Sequence, residues 1–179
     1  MEATGFRLAN VRLPSRIVPV AAALVAVGGC GGDPYARYAA TLHEDVDAAM
    51  VAAFQMTARL QLTVVHNQIP DDSLAVARDI VTRTAARVGE RAAHFRAVTP
   101  PDDLLRVHAD LSLELSRVSE ALDSLGAAFQ RCAAADPTCQ SHLDSLSQRF
   151  GFVGEDLNMA RSRMQRLLQA HGILLRRVG

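Results

Sequence analysis

Three of the six histidines in this chain fall at spacings that could place them at one level of a helical bundle. Folding the chain back at its predicted connections sets His43, His94 and His108 in one layer. The carboxylates of Asp45 and Glu90 fall in the same layer. Imidazole and carboxylate groups on facing helices are common metal ligands. A site for a divalent transition metal is therefore one hypothesis.

A structural role for His108 is the competing interpretation. His108 occupies a heptad position between Leu104 and Leu111, where leucine would suit the pattern better. Its imidazole therefore needs a partner, and layer counting suggests Glu90, Asp45 or a bound metal. The Glu-x-x-His pattern of carboxylate-bridged dimetal bundles is absent. We favour the structural role, which predicts no cofactor and a neutral or stabilising effect of His108→Leu.

Cys132 and Cys139 flank the predicted connection between the third and fourth helices. In an oxidising compartment two thiols so placed are expected to form a structural disulfide. A redox-active pair is the alternative, but it normally uses the tighter Cys-x-x-Cys spacing. We therefore predict a disulfide between Cys132 and Cys139.

The N-terminal residues have the composition of an export signal. Residues 1–16 carry three arginines against one acidic residue, and an uncharged run from Ile17 to Gly29 follows. This run is shorter than the roughly 20 apolar residues that a membrane-spanning helix needs. It ends in Val27-Gly28-Gly29-Cys30, which resembles a lipobox, the cleavage and acylation site of bacterial lipoproteins.

The resemblance implies that residues 1–29 are a signal peptide and that Cys30 becomes lipidated with diacylglycerol and palmitate. Residues 30–34 then form the lipidated cysteine and a short linker, and the acyl chains on Cys30 hold the protein to the membrane. Gly31 stands where inner-membrane lipoproteins of enterobacteria usually carry Asp, which favours a periplasm-facing position on the outer membrane. An ordinary signal peptide, with Cys30 free or in a disulfide, is the alternative.

The elements that must position these side chains are helices. Residues that favour helix dominate after the signal, and apolar residues recur at alternating spacings of three and four. We call each such row of residues a seam. The four seams cover residues 42–60, 74–98, 104–125 and 143–171, and the second includes Thr84 and Arg91. Prolines mark the breaks, and Gly172 is a plausible stop. We predict that residues 35–175 form an all-α, antiparallel up-down-up-down four-helix bundle.

The charge balance and the lack of motifs argue against some classes of function but do not identify one. Beyond the signal the chain carries 16 arginines against 18 acidic residues, which gives no attraction to nucleic acid. No catalytic motif is recognisable. The leading hypothesis is a noncatalytic, lipid-anchored helical bundle that binds an envelope protein or a small ligand. The alternative is a metal-responsive or metal-buffering periplasmic protein that uses His43, His94 and His108.

Overall fold

The computed structural model describes residues 33–62, 71–132 and 137–175, and within these ranges the chain is an all-α helical bundle without strands. The predicted fold class is confirmed. The lipobox-like sequence and Cys30 lie outside the described residues. No helix in the described ranges combines the length and the apolar composition needed to cross a membrane. The helical elements are α1 (Pro34–Leu42), a π-helical segment (His43–Asp47), α2 (Ala48–Leu62), α3 (Asp71–Ala97), a 3₁₀-helical turn (Asp102–Leu104), α4 (Leu105–Arg131) and α5 (Pro137–Ala170).

The first three elements follow one another without a break, and together we call them the first rod. Asp33 caps its N-terminus, because the Asp33 carboxylate accepts a hydrogen bond of 3.0 Å from the backbone N–H of Tyr35. Pro34 occupies the first turn, where a missing N–H costs nothing. At the other end of the chain Gly172, with φ of 79°, ends α5 as predicted.

Helices that follow one another in the chain pack against each other, as α3 and α4 show. Near the start of α3, Arg78 donates a hydrogen bond of 2.7 Å to the carbonyl of Phe129, near the end of α4. Near the end of α3, the ring of Phe95 lies 4.7 Å from the ring of His108, near the start of α4. The start of α3 thus meets the end of α4, which is compatible with the predicted up-down-up-down topology.

The third predicted seam agrees with the structure throughout, since its members on α4 are all buried. The second seam is shifted at two places. Ala85 and Ala92 are buried in the core, whereas Thr84 is half-buried and the side chain of Arg91 is 45% exposed. In both cases an alanine beside the predicted position faces the core instead, so the larger polar side chain stays in contact with water.

Candidate functional site

The π-helical segment buries three consecutive residues, which an ordinary helix surface does not do. Asp45 and Val46 are 0% exposed and Asp47 is 3% exposed. Successive side chains of an α-helix point roughly 100° apart, so the two neighbours of a core residue normally turn away from the core. A π-helix has more residues per turn, which reduces this angle. Val46 therefore enters the core while a buried carboxylate lies on each side of it.

Asp47 forms a buried ion pair with Arg161 of α5. The Nε of Arg161 lies 2.6 Å from Oδ1 of Asp47 and its Nη2 lies 3.1 Å from Oδ2. Both side chains are about 5% exposed or less. The remaining Nη1 donates to Gln165 at 2.8 Å, and His43 lies 3.1 Å from Asp47. This two-point pairing satisfies both charges and fixes the first rod against α5.

Asp45, on the other side of Val46, faces α3. Its Oδ2 lies 2.6 Å from Nδ1 of His94, and its Oδ1 lies 3.4 Å from Nη1 of Arg91. The Asp45 side chain is fully buried, whereas that of His94 is 64% exposed. The two carboxylates thus hold the first rod to its neighbours on opposite sides.

His108 is buried against aromatic rings rather than against charges. The hydroxyl of Tyr38 lies at a hydrogen-bonding distance of 2.9 Å from Nδ1 of His108, and Ser112 lies 3.4 Å from Nε2. Burial lowers the pKa of His108 and raises the pKa of Tyr38, so both side chains are neutral near pH 7. The expected partners Glu90 and Asp45 are wrong, because layer counting gives the height of a residue along the bundle but not the direction of its side chain.

The three predicted metal ligands do not come together. His43 lies against Asp47, His94 against Asp45, and His108 against Tyr38, so each histidine has a different partner. No group of three or more histidine, cysteine, aspartate or glutamate residues within the described ranges could hold a metal ion. His94 and His108 therefore connect neighbouring helices, His43 contacts a residue of its own segment, and the three share no ligand set within the described ranges.

One end of the bundle carries a separate polar cluster made by Tyr35, Asp103 and His171. The rings of Tyr35 and His171 stack with centroids 3.8 Å apart. Asp103 accepts a hydrogen bond of 3.0 Å from the Tyr35 hydroxyl and lies 2.8 Å from Nε2 of His171. The hydrogen bond to Asp103 raises the pKa of Tyr35. The cluster connects the start of α1 and the turn before α4 to the end of α5.

The predicted cysteine pair is brought to disulfide distance. Cys132 and Cys139 have Cα atoms 5.6 Å apart, a separation typical of bonded cysteines. Arg78 donates to the carbonyl of Cys132, so α3 also contacts this connection. A bond here would join the end of α4 to the start of α5.

The outer surface of α5 carries exposed apolar side chains. Phe152 is 68% exposed and Met159 is 53% exposed, and their separation of seven residues puts them on one face of the helix. A Cβ added at Gly151, next to Phe152, would meet no atom within 4 Å. This face is open for contact with another molecule.

Sequence reasoning missed Tyr38, Asp47 and Arg161 as interacting residues. Asp47 and Arg161 each lie next to a seam position, on helices that the sequence predicts to be neighbours. They also carry opposite charges. That combination is a signal that could have suggested the pair.

The chain was also compared with known proteins. No protein-family model, no curated protein and no solved structure matches it.

Proposed function

We propose that this chain is a noncatalytic, lipid-anchored helical bundle that serves as an interaction module at the bacterial cell envelope. The observation that carries the proposal is the exposed apolar face of α5 around Phe152 and Met159. The buried Asp45, Asp47 and His108 have partners within the bundle, which is the arrangement of groups that hold helices together. Large apolar side chains exposed on one side of such a bundle are suited to binding a partner.

The proposed location rests on the lipobox-like sequence before Cys30. Acylation there would attach the chain to the outer membrane, facing the periplasm, with two or more acyl chains giving a stable attachment. Residues 31–34 can reach no more than about 14 Å even when fully extended. The bundle would therefore work close to the lipid surface, and its partner would be found there.

Mass spectrometry of the protein from its native membrane tests the anchor. We expect a mature N-terminus at Cys30 carrying acyl chains, and we expect Cys30→Ser to release the chain or leave it unprocessed. Cys132→Ser is the matched control, since it makes the same chemical change elsewhere and should leave the chain attached. An unmodified thiol at Cys30, or an N-terminus after it, would contradict the anchor.

Site-specific photo-crosslinking in cells tests the interaction role. A photoreactive phenylalanine analogue replaces Phe152 in one strain and Leu113 in another, because Leu113 is also exposed, at 52%, but lies on α4. We expect a discrete crosslinked species from position 152 and none from position 113. Equal labelling at both positions, or no species from position 152, would reject the proposed interaction face.

A further inference from the structure

On α5 a positive charge precedes Phe152 and negative charges follow it. Gln148 and Arg149 lie one turn before Phe152 on α5, and Glu155 and Asp156 lie one turn after it. All four side chains are exposed. Along this face an amide and a cation are therefore followed by an aromatic ring and then by two carboxylates.

The charged members of this face are unpaired within the described part of the chain. Arg149, Glu155 and Asp156 form no ion pair there. None of the three has an oppositely charged residue three or four positions away on α5, the spacing at which helix side chains meet. Their charges are free to pair with another molecule.

We propose that this face binds a second copy of the chain, with two α5 helices crossing antiparallel about a two-fold axis at Phe152. An antiparallel arrangement sets Arg149 opposite Glu155 of the second copy and Gln148 opposite its Asp156, and the symmetry makes each contact twice. The two Phe152 rings meet at the axis, and the absent side chain of Gly151 leaves room for close approach. A parallel arrangement would set like charges against each other.

This inference rests on the proposed function, since it names a second copy as the partner of the interaction face. It also fixes how the dimer meets the membrane. The anchored N-terminus of each chain lies near the end of α5, since Tyr35 stacks on His171. Ala170 lies 18 residues from the axis at Phe152, which is about 27 Å at 1.5 Å per residue. The two anchored ends, one on each side of the axis, would therefore stand about 54 Å apart. Because each linker reaches no more than about 14 Å, both chains can enter one membrane only if the dimer lies along its surface.

The first test measures the mass of the full-length protein in detergent by sedimentation and native mass spectrometry. We expect a dimer for the wild-type chain and a monomer for Phe152→Asp. Leu113→Asp, which places the same charge at an exposed apolar position on α4, should remain dimeric. Circular dichroism checks that each variant is folded. A monomeric wild-type chain, or a dimeric Phe152→Asp, would overturn self-association.

The second test reverses charges. Arg149→Glu should weaken the dimer because Arg149 faces Glu155 of the second copy, and Glu155→Arg should weaken it for the corresponding reason. A single chain carrying both changes restores opposite charges across the axis, so the dimer should return. Failure of the double variant to dimerise where both single variants are folded and weakened would reject the antiparallel arrangement.

Crosslinking from position 152 separates this inference from the proposed function. A product with twice the mass of one chain supports self-association. A product that contains a different protein overturns self-association and leaves the interaction role in place. The absence of any product rejects both.

Discussion

Replacing Arg161 with methionine tests whether the buried ion pair holds the first rod against α5. Methionine keeps much of the length and flexibility of arginine but removes the charge and all three hydrogen-bonding nitrogens. The variant leaves the Asp47 carboxylate, which is 3% exposed, without its two closest donors. His43 remains nearby, but its side chain is 74% exposed and cannot replace a buried two-point contact.

Removing one member of a buried ion pair typically costs about 3 to 5 kcal/mol. For a chain of this size each kcal/mol lowers the melting temperature by roughly 2 to 4 °C, so we expect a drop of about 6 to 20 °C. Urea unfolding followed by circular dichroism measures the free energy of unfolding directly. Arg163→Met is the matched control, since Arg163 is exposed on the same helix and its loss should change stability by about 0.5 kcal/mol or less.

The double variant Asp47→Leu/Arg161→Met completes the test. It removes both charges, so no unpaired carboxylate is left in the interior, and its stability should recover most of the loss seen in Arg161→Met. The reasoning is refuted if Arg161→Met is no less stable than Arg163→Met, or if the double variant is destabilised by the sum of the two single changes.

Three further predictions concern the core and the α4–α5 connection. Burial lowers the pKa of His108 below its usual 6.5, so the folded chain binds fewer protons than the unfolded chain and loses stability as the pH falls through that value. This single group contributes a slope of at most about 1.4 kcal/mol per pH unit to the free energy of unfolding. The double variant His108→Leu/Tyr38→Phe should lack this contribution. If the wild-type chain and the double variant show the same dependence of stability on pH, the prediction is wrong. His108→Leu alone should cost about 1 to 3 kcal/mol, in contrast to the neutral or stabilising effect expected from the sequence, since it leaves the buried Tyr38 hydroxyl unpaired. The pair Cys132 and Cys139 should resist thiol labelling in unreduced, unfolded protein, and Cys139→Ser should lower stability by about 2 to 3 kcal/mol without unfolding the bundle.

The helical fold was predictable because the apolar pattern repeats over many turns. From Leu104 through α4 to Leu125, apolar residues recur at alternating spacings of three and four, and no competing polar side chain interrupts the stripe except His108. On α3 the same reasoning placed Arg91 in the core, where the structure places Ala92. Spacing alone does not decide which of two adjacent positions at the edge of a stripe faces the core, because the apolar stripe of a helix is itself about 100° wide or more.

The polar contacts were less predictable, for a physical reason that the π-helical segment shows. A regular helix would bury Val46 and turn Asp45 and Asp47 outward, so helical spacing by itself predicts two exposed carboxylates. Their burial depends on partners far along the chain, since Arg161 lies 114 residues from Asp47. Contacts of this kind follow from the packing of whole helices, which local spacing does not determine.

The cluster of Tyr35, Asp103 and His171 has a mechanical consequence for an anchored chain. Under the proposed anchor, any pull from the membrane reaches the bundle at Asp33 and Pro34, the first residues of the first rod. Tyr35 follows immediately, and its contacts with Asp103 and His171 pass part of the load to the turn before α4 and to the end of α5. Several helices would thus share the tension, and α1 would not separate from the bundle by itself.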